Sequence, residues 1–486
     1  MVADKQLLLK RHRRRKRIGA AIAAAGIATA ALIAWWLPLP LTIIAWVAHE
    51  AWFADHQFYA PDQDYHYGFP GATQSVPVTL GEQGELILTR SVALEPGDTL
   101  LLEVGIKATW LGGFRDPAVV VTSGAATDSQ AFERHVRGRR YVNLTGLASA
   151  VTESSLRVTS RYCRVENSGQ LWVFRHPDYL NQRVLIIAPH ADDAELAAFG
   201  LYSQASESWI VTLTAGEVEA GHYRRMGCSA TEAALLKGRL RAWDSVTVPR
   251  WGGVAERNCL QLGYFCLQLP AMRVAPDRPA GSREADLRDT RLFRRYNQLS
   301  LPSDGDGLPT WHNLKNDLLH VVDLVRPEII VLPHPHLDPH PDHVCAWQLV
   351  AEVLAASVCH PAALLCYANH LHDNDRWPMG NAHSGVPLPP KFAGEVLGTP
   401  YCLVATEPVQ RDKAMALGMM HDLQTPLSFK QRLRRRLQSV LAGRQWPPYG
   451  ENEFFRKAVR RHELFWVQAP PPHRPEKVCE QAGRVA

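Results

Sequence analysis

The sequence predicts an α/β domain with a largely parallel sheet, preceded by a membrane anchor and a small β-sandwich domain. Three observations predict it. Ile18 to Ala48 contains no charged residue. Between about residues 69 and 177, short β-branched or alternating runs are separated by turn residues. From about Tyr179, strand-like apolar runs alternate with helical patterns, as they do when helices cover a parallel sheet. At 486 residues the chain exceeds one compact core. The expected parts are a basic tail (1–17), a hydrophobic anchor (18–54), a β-sandwich (69–177), an α/β domain (178–468) and a disordered tail (469–486).

Composition excludes several classes. Hydrophobic content of 46% and charged content of 21% are ordinary for a globular protein. Residues 1–17 carry a net charge of +7 and the whole chain +5, which leaves −2 for the remainder. The basic character therefore belongs to the tail, and the body gives no reason to expect a nucleic acid partner. The 9 cysteines are scattered and never spaced CxxC, which argues for reduced thiols rather than a disulfide framework or a thiolate zinc site.

In chain order, the uncharged run exceeds the ~20 residues a spanning helix needs. It is too long for a signal-peptide core, and Trp35-Trp36 and Pro38-Leu39-Pro40 interrupt a cleavage site. A retained anchor is expected, with the basic tail on the cytoplasmic side. A single span would carry the body across to the periplasmic face; a hairpin turning at Pro38 and Pro40 would keep it cytoplasmic, the side the free cysteines favour. Strand candidates of the β-sandwich are Gly84–Ser91, Thr99–Val104, Ala118–Thr122, Tyr141–Leu144, Ser155–Thr159 and Gln170–Phe174. Such modules often bind sugars, and Trp110, Arg115 and Trp172 suit that purpose, although packing is the favoured role.

In the α/β part, strands are expected at Val184–Ala188, Trp209–Leu213, Ser245–Val248, Glu328–Leu332 and Leu364–Ala368, with helices at Asp193–Ser203, Thr231–Ala242, Trp311–Val325 and Pro341–Ser357. A polar loop, Asn369–Ser384, holds His370, His372, Asp373, Asp375 and Arg376, of which His370 and Arg376 are candidate substrate contacts. Ser428–Val440 reads as a basic amphipathic helix that either meets anionic lipid head groups or presents a solvated face.

The chemistry concentrates in two knots, each directly after a buried strand. The first is His190-Ala191-Asp192-Asp193; the second runs from Leu332 to His343 (LPHPHLDPHPDH). His190 and Asp193, three apart across a strand-to-helix turn, can reach one cation while Asp192 points elsewhere. Two histidines and a carboxylate with an open position suit Zn²⁺, and equally Fe²⁺ or Mn²⁺. The third ligand comes from His334, His336, His340 or His343, and spacing does not choose among them. Asp192, beside the ion but not bound to it, is the candidate base for a water. One knot alone reads as readily as a helix N-cap and a hydrogen-bonded histidine. Two knots in the same position after two strands favour a metal site. Glu195 reads as a first-turn helix charge.

The segments PHADD (Pro189 to Asp193) and DPHPDH (Asp338 to His343) resemble the motifs of the N-acetylglucosaminyl-phosphatidylinositol de-N-acetylases, the PIG-L or LmbE-like zinc deacetylases. The resemblance covers roughly Tyr179 to Thr406. It implies a Rossmann-like fold and hydrolysis of the N-acetyl group of an amino sugar. Carried over by position, it implies His190, Asp193 and His343 as metal ligands and Asp192 as general base. His340 would meet the oxyanion or the departing amine, oriented by Asp342. Arg241-Ala242-Trp243-Asp244 is similar to the family's Arg-x-x-Glu, which makes Arg241 a candidate substrate contact. Ala191 and Ala194 depart from the usual PHPDDE, with Glu195 one place late. The anchor and β-rich insert resemble membrane-attached bacterial members, which implies the inner membrane and an envelope glycan or glycolipid, such as a lipopolysaccharide core sugar, as substrate.

Overall fold

The computed structural model describes residues 2–55, 61–371, 376–391 and 397–471. The chain opens with a helix, Val2–Ile33, whose segment Leu9–Ile33 is long and apolar enough to cross a membrane. A turn at residues 34–37 leads to a second helix, Pro38–Ala48, and a π-helical turn, His49–Phe53. Proline is tolerated in a first turn because the first amides of a helix have no partner inside it. Most large apolar side chains here are exposed, Trp35 by 88% and Leu32 by 89%, which water would penalise and a lipid phase would not. Both ends of the helix pair return to one place. Arg15 lies close enough to His135 to act on its charge, and the Trp52 carbonyl accepts a 2.7 Å hydrogen bond from Arg134 Nη2.

Eight antiparallel strands follow: β1 (Gln74–Leu80), β2 (Leu86–Leu88), β3 (Thr99–Ala108), β4 (Ala118–Ser123), β5 (Ala126–Ala131), β6 (Arg137–Asn143), β7 (Leu156–Arg161) and β8 (Cys163–Phe174). They form a five-stranded sheet, β2-β1-β8-β3-β6, and a three-stranded sheet, β5-β4-β7. One apolar core lies between the sheets: Leu102, Val104 and Leu171 come from the first, Val119, Val121 and Val158 from the second. β1 and β5 have no counterpart among the expected strands. Pro77 interrupts the pattern of β1, and β5 is a polar run (ATDSQA) whose Gln130 Nε2 donates to the Asn143 carbonyl inside the protein.

The rest of the chain is a seven-stranded mixed sheet in the order β11-β10-β9-β12-β13-β15-β14. β9 (Arg183–Ala188), β10 (Glu207–Thr214), β11 (Cys259–Tyr264), β12 (Ile329–Pro333) and β13 (Ala363–Tyr367) pair in parallel; β14 (Thr399–Val404) and β15 (His462–Gln468) are antiparallel additions. Alternate residues feed two cores. Leu185, Ile187 and Leu332 pack with helices Trp311–Val325 and Pro341–Ala356, whereas Val184, Ile186 and Val331 pack with helices Asp193–Tyr202 and Glu407–Met419. Helices on both faces explain why these strands are apolar throughout rather than alternating. The first core also takes in Tyr67, Phe69, Tyr141 and Phe174, so the two parts of the chain share a buried joint; Tyr67 stacks on Trp466 at 5.5 Å.

One expected strand is a correction. Ser245–Val248 is the end of helix Ala230–Thr247 and the start of a 3-10 turn. A capping box, in which the Ser229 side chain and Glu232 satisfy each other's backbone amides, starts that helix, and its buried face runs on through Val246. The short apolar run at its end carries no strand signal of its own. The eight described cysteines are free thiols, while Cys479, His372, Asp373, Asp375 and the tail from 472 lie outside the described residues.

Candidate metal centre

β9 ends at Ala188, and Pro189 turns the chain so that His190 to Asp193 lie at the carboxyl end of the parallel strands, where such sheets place ligands. The turn is built from its own atoms: the His190 amide donates to Asp193 Oδ2 at 2.9 Å, and the Asp192 amide to the His190 carbonyl at 3.1 Å. Asp192 sits at φ 154°, a conformation L-residues avoid at a cost of about 1–3 kcal/mol, just before helix Asp193–Tyr202. The second knot leaves β12 in the same way. There His340 caps helix Pro341–Ala356, its Nδ1 accepting from the Asp342 amide at 3.3 Å, which aims His343 back toward the first knot.

Three donor atoms converge. His190 Nδ1 is 3.2 Å from Asp193 Oδ2, His343 Nε2 is 3.2 Å from the same oxygen, and the two ring nitrogens are 3.3 Å apart. A tetrahedral ion with bonds of ~2.0–2.1 Å separates its ligand atoms by about 3.3–3.4 Å. The triangle therefore fits one first-row divalent cation, and His340 lies within ligand range of the same two rings. Each imidazole has a carboxylate behind it, as ligating histidines usually do. Asp338 Oδ2 stands 2.9 Å from His343 Nδ1, and Asp342 Oδ2 stands 3.2 Å from His190 Nε2. Burial opposes charge on both rings, but it is overcome: Cys266, then Asp193 and Asp342, hold His190 toward the cationic form, and Asp193 and Asp338 hold His343 up to about 10. Such a pocket attracts positive charge. His334 is not a candidate: its Nδ1 accepts the amides of His336 and Leu337 at 3.2 Å, and its Nε2 is 3.1 Å from the Leu397 carbonyl.

Asp192 stands beside this triangle and outside it. Its Oδ1 accepts from Arg241 Nη2 at 3.1 Å, and Arg241 Nη1 pairs with Asp422, which also holds Lys237 Nζ at 3.1 Å. Burial pushes the Asp192 carboxyl up to about 6, with Arg241 pulling it the other way. His340 edges the centre, its ring centroid 4.8 Å from that of His190 and 4.9 Å from that of His343. Burial, then the charge of those two rings, holds it down to about 4, so it is neutral at pH 7. His370 stacks over His340 at 5.5 Å and meets the edge of His343 at 5.1 Å, which places it at the mouth.

Four expectations change. Asp342 reaches His340 only through its backbone; its carboxylate stands behind His190, because helix Pro341–Ala356 turns that side chain inward. Arg241, expected as a substrate contact, is 4% exposed and pairs with Asp192 and Asp422. Arg376 pairs with Asp116 in another cleft, between the two parts of the chain. Glu195 is buried, burial raises it to about 8, and Tyr202 OH donates to it at 3.1 Å; at neutral pH it is largely uncharged and is no helix-dipole partner. Trp172 donates to Glu103 and packs against the core, in line with the packing role.

Several site residues carried no signal of their own. Asp338 looked like one more polar residue of its knot. Asn369 Nδ2 binds Asp193 Oδ1 at 2.8 Å from across the sheet. Cys266, with Sγ 3.6 Å from His190 Nε2, arrives from the loop after β11. Asp422 sits 181 residues from Arg241 in sequence.

Fold and centre together define the class: a mixed α/β protein with a buried His-His-Asp cluster at the strand ends. Residues 185–354 match the PIG-L family model, described as GlcNAc-PI de-N-acetylase, and this stretch of the chain is a PIG-L domain. No curated protein matches the chain. Among solved structures, it is similar to the N,N'-diacetylchitobiose deacetylase from Pyrococcus horikoshii, with 15% identity over 60% of this chain and 84% of that one and a TM-score of 0.31. A deacetylase triple mutant from the teicoplanin biosynthetic pathway gives 16% over 59% and 98%, TM-score 0.31. The 4-carboxy-2-hydroxymuconate hydratase from Pseudomonas putida gives 13% over 53% and 84%, TM-score 0.30.

Proposed function

We propose that the chain is a metal-dependent de-N-acetylase that hydrolyses the N-acetyl group of an amino sugar in a membrane-associated glycan or glycolipid of the cell envelope. The observation that carries the reading is the convergence of His190 Nδ1, Asp193 Oδ2 and His343 Nε2 at 3.2–3.3 Å within a PIG-L domain. Zn²⁺, or Fe²⁺ or Mn²⁺ in its place, would be held by these three atoms; it would polarise the acetyl oxygen and lower the pKa of a water to ~7. Asp192 takes the proton of the attacking water, and Arg241 fixes its carboxylate for that task. His340, at the edge of the centre, meets the charge that develops on the acyl oxygen or the departing amine. Asp342 and Asp338 orient the two ligating rings. The domain around them is Rossmann-like in its five parallel strands, and the two sheets before it form a β-sandwich.

The helix pair is a re-entrant hairpin. Ile18 to Ile33, the uncharged part of the first helix, runs about 24 Å at 1.5 Å per residue before the chain turns back at residues 34–37 into the second helix. Both ends return to the Arg134-His135 segment. The catalytic body then lies on the side of the basic tail, the cytoplasmic face of the inner membrane. A membrane-impermeant thiol reagent would label a cysteine introduced at position 62 only after the cytoplasmic side is opened; labelling of intact cells places the body outside.

Acetate release from N-acetylated amino-sugar glycans by the purified full-length chain, with and without a chelator, tests the function. Release that stops with chelator and returns with Zn²⁺ is expected. Release unaffected by chelator removes the metal from the reading. Glycan binding without release makes the chain a sugar-binding protein.

A further inference from the structure

A second concentration of charge lies between the β1–β8 part and the C-terminal helices. A cavity of about 250 Å³ is lined by Arg115, Arg161, Arg376, Arg444 and Arg456, with Asp116 the one carboxylate among its described lining residues. Arg134 stands directly behind, 3.9 Å from Asp116. Asp55 serves Arg444 at 2.9 Å and Arg376 at 3.9 Å, and Glu453 serves Arg456 at 2.6 Å and Arg444 at 3.6 Å. Among the described residues, Arg134, Arg376, Arg444 and Arg456 pair with these three carboxylates, Glu453 also meets Arg435 at 3.5 Å, and Arg115 and Arg161 line the same cavity. Repulsion is felt within the group: burial, then the charge of Arg376, holds Arg134 down to about 10 and lowers Arg444 as well. An anion in the cavity would relieve that repulsion, and forked guanidinium donors match the oxygens of a phosphate.

The surroundings say where the anion comes from. Phe114, next to Arg115, meets the ring of Trp52 at 5.5 Å, and Trp52 Nε1 donates to the Phe114 carbonyl at 3.0 Å. Trp52 ends the hairpin, so the cavity wall is fastened to the hairpin foot. Beside it the loop before β4 exposes Trp110 by 78%, Leu111 by 47% and Phe114 by 40%. Aromatic and apolar side chains displayed next to a membrane anchor belong at the level of the lipid head groups.

We propose that this arginine-lined cavity is a binding site for a phosphate group, presented by an anionic phospholipid of the membrane that holds the hairpin. The inference rests on the hairpin and does not depend on the deacetylase reading. Arg115 and Arg161 form the outer rim, while Arg376, Arg444 and Arg456 anchor the wall.

The test uses the full-length chain in a neutral detergent, with thermal unfolding followed by tryptophan fluorescence. The probes are dioctanoyl phosphatidate, inorganic phosphate and, lacking phosphate, dioctanoylglycerol. Phosphatidate is expected to raise Tm in a saturable way, and the double variant Arg115→Ala, Arg161→Ala to weaken that binding at least about tenfold. Stabilisation by phosphatidate alone identifies a lipid head group; equal stabilisation by inorganic phosphate identifies free phosphate, and both outcomes support the site. Identical titrations of wild type and variant, or equal stabilisation by dioctanoylglycerol, overturn it. Acetate release from a soluble substrate, where it occurs, should be the same in the variant, which separates a failed phosphate site from a failed catalytic assignment.

Discussion

Asp338 offers the sharpest test of the proposed metal centre, because its carboxylate stands behind His343 and outside the proposed ligand set. One oxygen, Oδ2, stands 2.9 Å from His343 Nδ1 and accepts the amides of Asn369 at 2.9 Å and His370 at 3.1 Å. The other accepts only a long bond from the His340 amide, at 3.4 Å. Asp338→Asn can therefore keep an oxygen at the first position and lose little at the second, so what changes is the negative charge behind His343. Removing such a partner weakens metal binding by roughly 10–100-fold. That is about 1.4–2.7 kcal/mol. Competition against a chromophoric zinc chelator at pH 7.5 measures it. A variant that binds Zn²⁺ as tightly as wild type, alongside a His190→Ala variant that has lost it, would refute the claim that Asp338 tunes the ligand. Asp338→Ala should be worse than Asn, since it also frees the Asn369-His370 backbone that forms the mouth.

Three further outcomes are expected. Asp192→Asn should retain metal by elemental analysis and lose about 10²–10⁴ in rate; full activity rules Asp192 out as base. Arg241→Met leaves Asp192 without its buried cation, while Asp422 keeps Lys237, and should cost about 3–5 kcal/mol, read as a lower urea midpoint with an unchanged spectrum in the folded baseline; an unmoved midpoint contradicts the pairing. His462 supplies a pH dependence. Its Nε2 is 3.1 Å from the Thr145 carbonyl and its Nδ1 accepts the Val386 amide at 3.4 Å, an arrangement only the neutral ring satisfies, and burial holds it down to about 4. Between about pH 4 and the ordinary value near 6.5 the unfolded chain binds the extra proton, so stability rises with pH across that window and is lost as pH falls through it. The full contribution is about 3 kcal/mol at ~1.4 kcal/mol per unit. His462→Gln should flatten the stability curve there, and equal slopes for both proteins would show that the ring is not the sensor.

Much of the fold was legible because period and burial are local properties. Val184–Ala188 and Ile329–Pro333 are apolar throughout since helices cover both faces, and helix Trp311–Val325 keeps its periodicity from end to end. β5 was hidden because its buried residues are polar and find their partners in β6 and the 385–386 segment. β14 and β15 were hidden because they join the sheet as antiparallel strands after long excursions of the chain.

The sequence by itself determined which chemistry is present. The knots PHADD and DPHPDH place imidazoles and carboxylates after two buried strands, and strand ends in a parallel sheet face the same crevice. Tertiary structure alone decided how they divide the labour. Pairing of β9 with β12 brings His190 and His343 to 3.3 Å, assigns Asp342 to His190 and Asp338 to His343, and turns Arg241 from a substrate contact into the partner of Asp192. It also set Asp55, Asp116 and Glu453 among arginines far apart in sequence, Arg134, Arg376, Arg444 and Arg456. The reason is physical. A ligand set depends on ångström separations between side chains more than a hundred residues apart, and those are fixed by strand register and helix packing, which no local pattern encodes.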